Sequence, residues 1–273
     1  VITFENVSKR YGERLALDDV SWRMDEGESV AFLGPNGSGK TTLLRLITHE
    51  IQPSSGRVTV GTFQSRRLRR GQRALLRRTL GIIYEDFRLL NDRSIFENVA
   101  LAVRIAGRFS DEEVIPRVLY ALEEVGLVLK QHDYPAQLSA GERLRASIAR
   151  AIVNRPAVIL ADEPTGALEK RSSEGVLALL KRIHAEGAAL LVVTTRREVA
   201  EAVATRIIRI DDGKLVDEEG RPLKSGAVPP PAASASATAA PPPSNAAPAA
   251  TATMEEPAAT PSEIPTGVTP PEA

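Results

Sequence analysis

The most constraining feature of this 273-residue chain is the run Gly34, Pro35, Asn36, Gly37, Ser38, Gly39, Lys40, Thr41, Thr42, which reads G-x-x-x-x-G-K-T. The apolar run Ser29-Val-Ala-Phe-Leu33 precedes it and is short enough for a buried strand. Leu43, Leu44 and Ile47 follow, spaced to share one face of a helix. Strand, glycine loop and helix together are the context in which such a run cradles a phosphate chain. Glycines at 34, 37 and 39 can take backbone angles closed to other residues, so successive N–H groups can turn inward on an anion. A helix starting near Lys40 adds its unpaired amides and the positive end of its dipole. Lys40 is then expected to reach the β- and γ-phosphates and the Thr41 hydroxyl to ligate Mg²⁺. The implied ligand is a nucleoside triphosphate with Mg²⁺.

The rest of the chain is patterned for an α/β fold. Ile2 to Val7 and Leu17 to Met24 alternate apolar and polar residues as half-buried strands do, and Arg57 to Gly61 reads as another. Leu80 to Tyr84, Ala157 to Ala161 and Ala188 to Thr194 read as buried strands. Helical spacing runs through Ile95, Val99, Leu101 and Ile105, from Asp111 to Val125, from Glu142 to about Asn154, and through Val176, Leu179, Leu180 and Ile183. Arg206 to Val216 reads as a hairpin turning at Asp212-Gly213. The expected architecture is a mostly parallel sheet covered by helices, with an antiparallel β portion at the front. Composition changes near Gly220. From Ser225 onward 12 of 49 residues are Pro and there is no aromatic, so residues 221–273 are expected to form a disordered tail, with a proline-rich partner ligand as the alternative.

Composition removes several classes of function. The chain has no cysteine, which excludes a disulfide framework and cysteine-based metal or redox chemistry. Its apolar runs fall far short of the roughly 18 residues that a membrane helix needs. The first residues enter strand-like sequence without the basic region and apolar core of a signal peptide. A cytoplasmic protein is expected, reaching a membrane only through a partner or its surface. The three histidines, His49, His132 and His184, show no ligand spacing and are expected at the surface.

A second phosphate-site element is the apolar strand ending in Asp162 and Glu163. A buried strand with this ending puts Asp162 beside the glycine loop, where it can hold Mg²⁺, and Glu163 where it can polarise an attacking water as general base.

Leu138-Ser139-Ala140-Gly141-Glu142, just upstream of that strand, resembles the signature motif of ABC-transporter ATPases. Together with the glycine loop the resemblance spans roughly residues 1–220 and implies an ABC-type P-loop NTPase. Such a fold has a helical subdomain, about 86–155, that carries the signature. It also implies a homodimer closed head to tail on ATP. There Ser139, Ala140, Gly141 and Glu142 would face the partner's γ-phosphate from a helix N-terminus, and Tyr11 matches the aromatic that stacks on adenine. Gly81 to Ala100, Phe4 to Tyr11 and Ala161 to Gly166 are similar to the FtsE family of bacterial cell-division ABC ATPases, which work with the membrane protein FtsX. That implies an integral membrane partner of FtsX type, received by residues 86–107, and a place on the inner face of the membrane at the division site. Of those residues, Phe87, Leu89 and Leu90 are the candidates for an exposed groove, and Ile95, Val99 and Leu101 for core packing. The alternative within the family is the ATPase of a lipoprotein-release or macrolide-efflux complex. Outside transport, the alternatives are a nucleic-acid-acting ABC protein and a nucleotide-gated scaffold.

Some positions depart from the family pattern. Glu85, a candidate metal ligand with Thr41 and Asp162, stands where the family has a glutamine sensor, Arg196 where it has a histidine at the γ-phosphate, and Glu169 where it has an aspartate. Glu85 and Arg196 are expected either to bridge as a compensating pair or to mark slow hydrolysis. The seven arginines from Arg66 to Arg78 leave three readings: a solvated face, contact with an anionic lipid surface, or nucleic acid. The last is disfavoured by the lack of interleaved aromatics.

Overall fold

A computed structural model describes residues 1–221 apart from 66, 67, 108, 218 and 219. The expected tail, and with it residues 222–273, lies outside the described residues, as do Arg66 and Arg67 of the arginine cluster.

Two sheets divide the strands. β1 (Ile2–Tyr11), β2 (Arg14–Met24), β4 (Ser55–Val60) and β5 (Phe63–Gln64) form an antiparallel sheet in the order β2-β1-β4-β5. The other sheet has the order β10-β9-β3-β8-β7-β6. It comprises β3 (Ser29–Leu33), β6 (Leu80–Ile83), β7 (Val158–Asp162), β8 (Ala189–Thr194), β9 (Arg206–Asp211) and β10 (Lys214–Val216). All its neighbours are parallel except the terminal β9–β10 hairpin. The continuous apolar runs of β3, β7 and β8 follow from this position, since a strand covered on both faces has no polar side to alternate with. Trp22 of β2 joins the two sheets, its ring 5.2 Å from Phe4 and 4.8 Å from Phe32 of β3. These are separations at which aromatic pairs attract beyond simple burial.

The helices are α1 (Lys40–Ile47), α2 (Arg70–Arg78), α3 (Ile95–Ala106), α4 (Asp111–Glu124), α5 (Ala140–Ile152), α6 (Lys170–Ala185) and α7 (Arg197–Val203). A core of Val99, Val103, Val118, Leu122, Leu144 and Ile148 packs α3, α4 and α5 together. Each of these three begins with the same four-residue device: Ser94 with Glu97, Ser110 with Glu113, and Ser139 with Glu142. The glutamate three residues into the helix accepts from the serine's backbone N–H, at 2.8, 2.9 and 2.8 Å. Amides that the helix leaves unpaired are thereby satisfied.

Three expectations are corrected. α2 and α7 are absent from the sequence reading. α2 buries Leu76 as its anchor and exposes Arg77 and Arg78, so it shows too short an apolar stripe to register as a period. His49 is not at the surface. It is fully buried at the end of α1 with a left-handed backbone (φ 48) and both ring nitrogens unpartnered. Burial, reinforced by Arg73 and Arg77, lowers its pKa to about 4 and keeps the ring neutral. Leu101 is not core: it is 39% exposed, and Ile105 beside it 51%, while Ile95 and Val99 are fully buried.

Candidate nucleotide-binding and hydrolysis site

The carboxyl ends of β3 and β7 meet at an open cavity of about 520 Å³. This is the edge at which open α/β sheets take their ligands. β3 leads straight into the loop Gly34–Gly39, and α1 starts at Lys40. Two glycines of that loop have no alternative. A Cβ on Gly34 would lie 2.0 Å from the Ile210 carbonyl oxygen, and one on Gly39 2.6 Å from that of Ala16. Gly39 also holds φ 108, which side chains rarely adopt. It caps α1 without a side chain, so no serine or aspartate occupies the first-turn amides.

The side chains around the loop are set for an anion. Lys40, 6% exposed, donates from Nζ to the carbonyls of Gly34 (2.8 Å) and Pro35 (2.9 Å). Its Nζ also lies 3.7 Å from Oε1 of Glu163, a charge contact too long for a hydrogen bond. The Ser38 hydroxyl is buried and unpartnered, and so is Glu163 Oε1. Buried polar atoms without partners are rare; Glu163 belongs to the cavity lining, and Ser38 to the loop that borders it.

Asp162, Glu163 and Glu85 also line the cavity, beside Lys40 and Thr41. The Asp162 carboxyl is pushed up to about 6, first by burial and then by the neighbouring charges of Glu85 and Glu163. Lys40 and a hydrogen bond from Thr41 oppose the rise. Glu163 takes a left-handed backbone (φ 43) just past the end of β7. Its Oε2 accepts from the Thr194 hydroxyl at 3.0 Å and the Thr195 amide at 3.1 Å.

The donor set suits a hard cation. Thr41 and Asp162 supply oxygen donors, and among the described residues no group of three or more His, Cys, Asp or Glu could hold a metal by itself. Mg²⁺ is the ion that takes one or two protein oxygens and completes its shell with substrate phosphates and water.

Of the residues expected from the sequence, Tyr11, Asn36, Gly37, Gly39, Lys40, Thr41, Thr42, Glu85, Asp162 and Glu163 line the cavity. Gly34, Pro35 and Ser38 belong to the same loop but are not in the lining. Tyr11 stands at the end of β1, 40% exposed, with Lys9 Nζ 5.1 Å over its ring. Arg196 is not in the lining, and among the described residues no ion pair joins it to Glu85. The bridge expected between those two therefore does not form. Glu85 lies close enough to Asp162 for its charge to raise that carboxyl's pKa, and Arg196 opens α7 with its amide bonded to the Thr194 hydroxyl.

Ser139, Ala140, Gly141 and Glu142 lie outside this cavity, at the N-terminus of α5. There the Glu142 carboxylate is held at about 2, chiefly by Lys130 at 2.7 Å and then by Ser139. The sequence reading overlooked Arg14, which lines the cavity and donates to the Gly37 carbonyl at 3.3 Å, together with Thr194, Thr195 and Lys130.

Comparison with known proteins agrees with this geometry. The family model for the ABC transporter matches residues 17–166. The chain is 40% identical over 225 residues to the cell division ATP-binding protein FtsE of Mycobacterium tuberculosis, covering 81% of this chain and 96% of that one. It is 42% identical over 216 residues to FtsE of Escherichia coli K12, covering 79% and 97%. Among solved structures, the ATP-binding cassette MJ0796, a dimer in a post-hydrolysis state with ADP and Pi, superposes with a TM-score of 0.73 at 34% identity. That match covers 79% of this chain and 96% of that one. The phosphate cradle at the end of β3, the carboxylates at the end of β7 and the serine-led helix between them thus belong to an ATP-binding cassette, and the chain is a member of the ABC transporter family of FtsE-like ATPases.

Proposed function

We propose that this ABC ATPase subunit closes head to tail with a second copy on two Mg·ATP and uses hydrolysis to reopen. In this reading it drives an FtsX-like membrane partner that controls cell-wall hydrolysis in division. The observation that carries the catalytic part is the state of Lys40 and Glu163. The lysine is turned back on the carbonyls of its own loop, and the base presents one unpartnered oxygen to the same cavity. Phosphate oxygens would take the lysine's donors, and the loop amides with the Ser38 hydroxyl would complete the cradle. Thr41 and Asp162 would hold Mg²⁺, which neutralises charge on the β- and γ-phosphates. Glu163, with Oε1 free, would accept the proton of the attacking water. Ser139 and Gly141, remote from the chain's own cavity, are suited to cap the γ-phosphate of the other copy.

Two surfaces support a membrane partner. The loop after Glu85 and helix α3 expose Leu90, Leu101 and Ile105, whereas Phe87 and Leu89 are partly packed against the core. α2 turns Arg77 and Arg78 outward with no acid in its first turn, and an anionic leaflet would attract it. Attachment to the cytoplasmic face of the membrane would therefore run through partners, since no helix among the described residues is long and apolar enough to cross it.

Two substitutions read by two assays test this. Lys40→Ala should weaken ATP binding at least tenfold, measured by fluorescent-nucleotide titration. Ser139→Arg should leave that binding within about twofold and abolish ATP-dependent dimerisation on a sizing column. Nucleotide affinity unchanged in the first, or dimers persisting in the second, removes the respective half of the proposal.

A further inference from the structure

Glu163 needs more than a place in the cavity to act as a base: one of its two oxygens must be fixed on the water. β7 and β8 are parallel and in register, with Asp162 opposite Val193, so the next residue of β8 stands beside Glu163. That residue is Thr194, 1% exposed, in a strand otherwise wholly aliphatic. Its hydroxyl donates to Glu163 Oε2 at 3.0 Å and accepts from the Arg196 amide at 3.1 Å, while its carbonyl accepts from the Gly34 amide at 3.2 Å. A hydroxyl has one proton to give, and here it is given to the carboxylate.

We propose that Thr194 is a positioning residue for the hydrolytic base, selecting which Glu163 oxygen faces the nucleotide. Both hydrogen bonds to the carboxylate, from Thr194 and from the Thr195 amide, fall on Oε2, and Oε1 has none. The carboxylate is therefore anchored by one oxygen and presented by the other. The left-handed backbone at Glu163 makes the anchor necessary, because a residue in that region persists only where its surroundings over-determine it. The same hydroxyl ties the base to the start of α7 through Arg196, and the same residue's carbonyl ties it to the first glycine of the phosphate loop. Base, loop and the position-196 corner are thus set by one side chain and its own peptide. An aliphatic residue would fill the space equally well and leave Oε2 with the Thr195 amide alone.

This inference rests on Glu163 acting as the base of an ATPase. Its test is steady-state and single-turnover hydrolysis of Mg·ATP by the full chain, with Thr194→Val, Thr194→Ser and Glu163→Gln. Thr194→Val should lower kcat about tenfold with KM for ATP within twofold. Thr194→Ser, which keeps the hydroxyl, should restore kcat to within about threefold of the natural protein. In the Glu163→Gln background Thr194→Val should cost less than twofold more, since it acts through the group already lost. An unchanged kcat in Thr194→Val overturns the inference, as does a full tenfold loss repeated in the Glu163→Gln background. Failure of the serine variant to rescue, with its melting temperature kept, also overturns it. If Glu163→Gln instead hydrolyses as fast as the natural protein, the assignment of the base falls, and this inference falls with it. Crystal structures of the two threonine variants give a readout without turnover: the Glu163 carboxylate should turn away from its present rotamer in Thr194→Val and keep it in Thr194→Ser.

Discussion

At the scale of single residues the site carries an electrostatic cost that its ligand is built to remove. Asp162, Glu163 and Glu85 crowd one wall, and burial together with the other two carboxylates raises the Asp162 pKa to about 6. A carboxyl whose folded-state pKa lies above its unfolded value stabilises the fold while protonated, and that contribution is lost as pH rises through the folded value. Ligand-free protein should therefore lose stability between about pH 4 and pH 6 on account of this group. Asp162→Asn, uncharged at every pH, should melt several degrees higher than the natural protein at pH 7.5 without nucleotide, and the difference should shrink as pH is lowered through 6. Scanning calorimetry at three pH values checks it; an equal gap at pH 5 and pH 7.5 contradicts the charge-crowding account. Lys40, Thr41 and Asp162 are legible because their spacing from a glycine loop or a buried strand encodes their chemistry. Thr194 was not, because its role comes from strand register, which places a residue beside Glu163 across 31 positions of chain. The Glu85–Arg196 pair was illegible for a similar reason: no ion pair joins the two among the described residues, and the Arg196 contact on the page is its backbone amide to the Thr194 hydroxyl.

Elements follow the same division. β3, β7, β8 and the helices α3 to α6 were readable because they bury long apolar stripes of the correct period. α2 and α7, each anchored by few buried residues, were not, and Arg70, Arg73, Arg77 and Arg78 of the arginine cluster sit on a helix that the charge pattern does not announce. The Ser-x-x-Glu starts of α3, α4 and α5 stand in the sequence as a repeated helix-start signal. In α5 this device coincides with the signature, so Glu142 has a structural duty as well as any toward the nucleotide. Its pKa, held at about 2 by Lys130 and Ser139, lies below the unfolded value. It therefore contributes stability that is present above about pH 4.5 and lost as pH falls toward 2. Glu142→Ala should lower unfolding stability by about 1 kcal/mol at pH 7, the usual worth of a helix cap. The penalty should narrow steadily below pH 4.5 in urea titrations. A penalty that stays constant down to pH 3 would mean that the alanine acts through packing and not through the cap.

For the whole molecule, the proposed membrane partner would need a path from its docking surface to the site at the sheet's edge. Residues 84 to 91 bridge the two. Glu85 lines the cavity at one end, and Leu90 is 41% exposed at the other. Between them Phe87 and Arg88 both hold left-handed backbone angles (φ 58 and 45). Arg150 of the signature helix fixes that turn, donating to the carbonyls of Phe87 (2.6 Å) and Arg88. Asn98 of α3 fixes its far end, accepting from the Leu90 amide at 2.7 Å and donating back to its carbonyl at 3.1 Å. A segment pinned this closely to α5 and α3 is expected to move with them, and a push on its exposed side would then reach both Glu85 and the signature. Leu101 and Ile105 lie three and seven residues beyond Asn98 on the same face of α3 and extend the apolar surface beside Leu90. Finishing the burial of a half-exposed Leu or Ile is worth about 1 kcal/mol, so three of them supply about 3 kcal/mol, roughly two decades of affinity. Replacing Leu101 and Ile105 with aspartate should therefore cut co-purification of the membrane partner at least tenfold while ATP binding by the isolated subunit stays within twofold. Full recovery of the partner with the doubly charged variant would move the docking surface off α3, and the exposed leucines would then need another explanation.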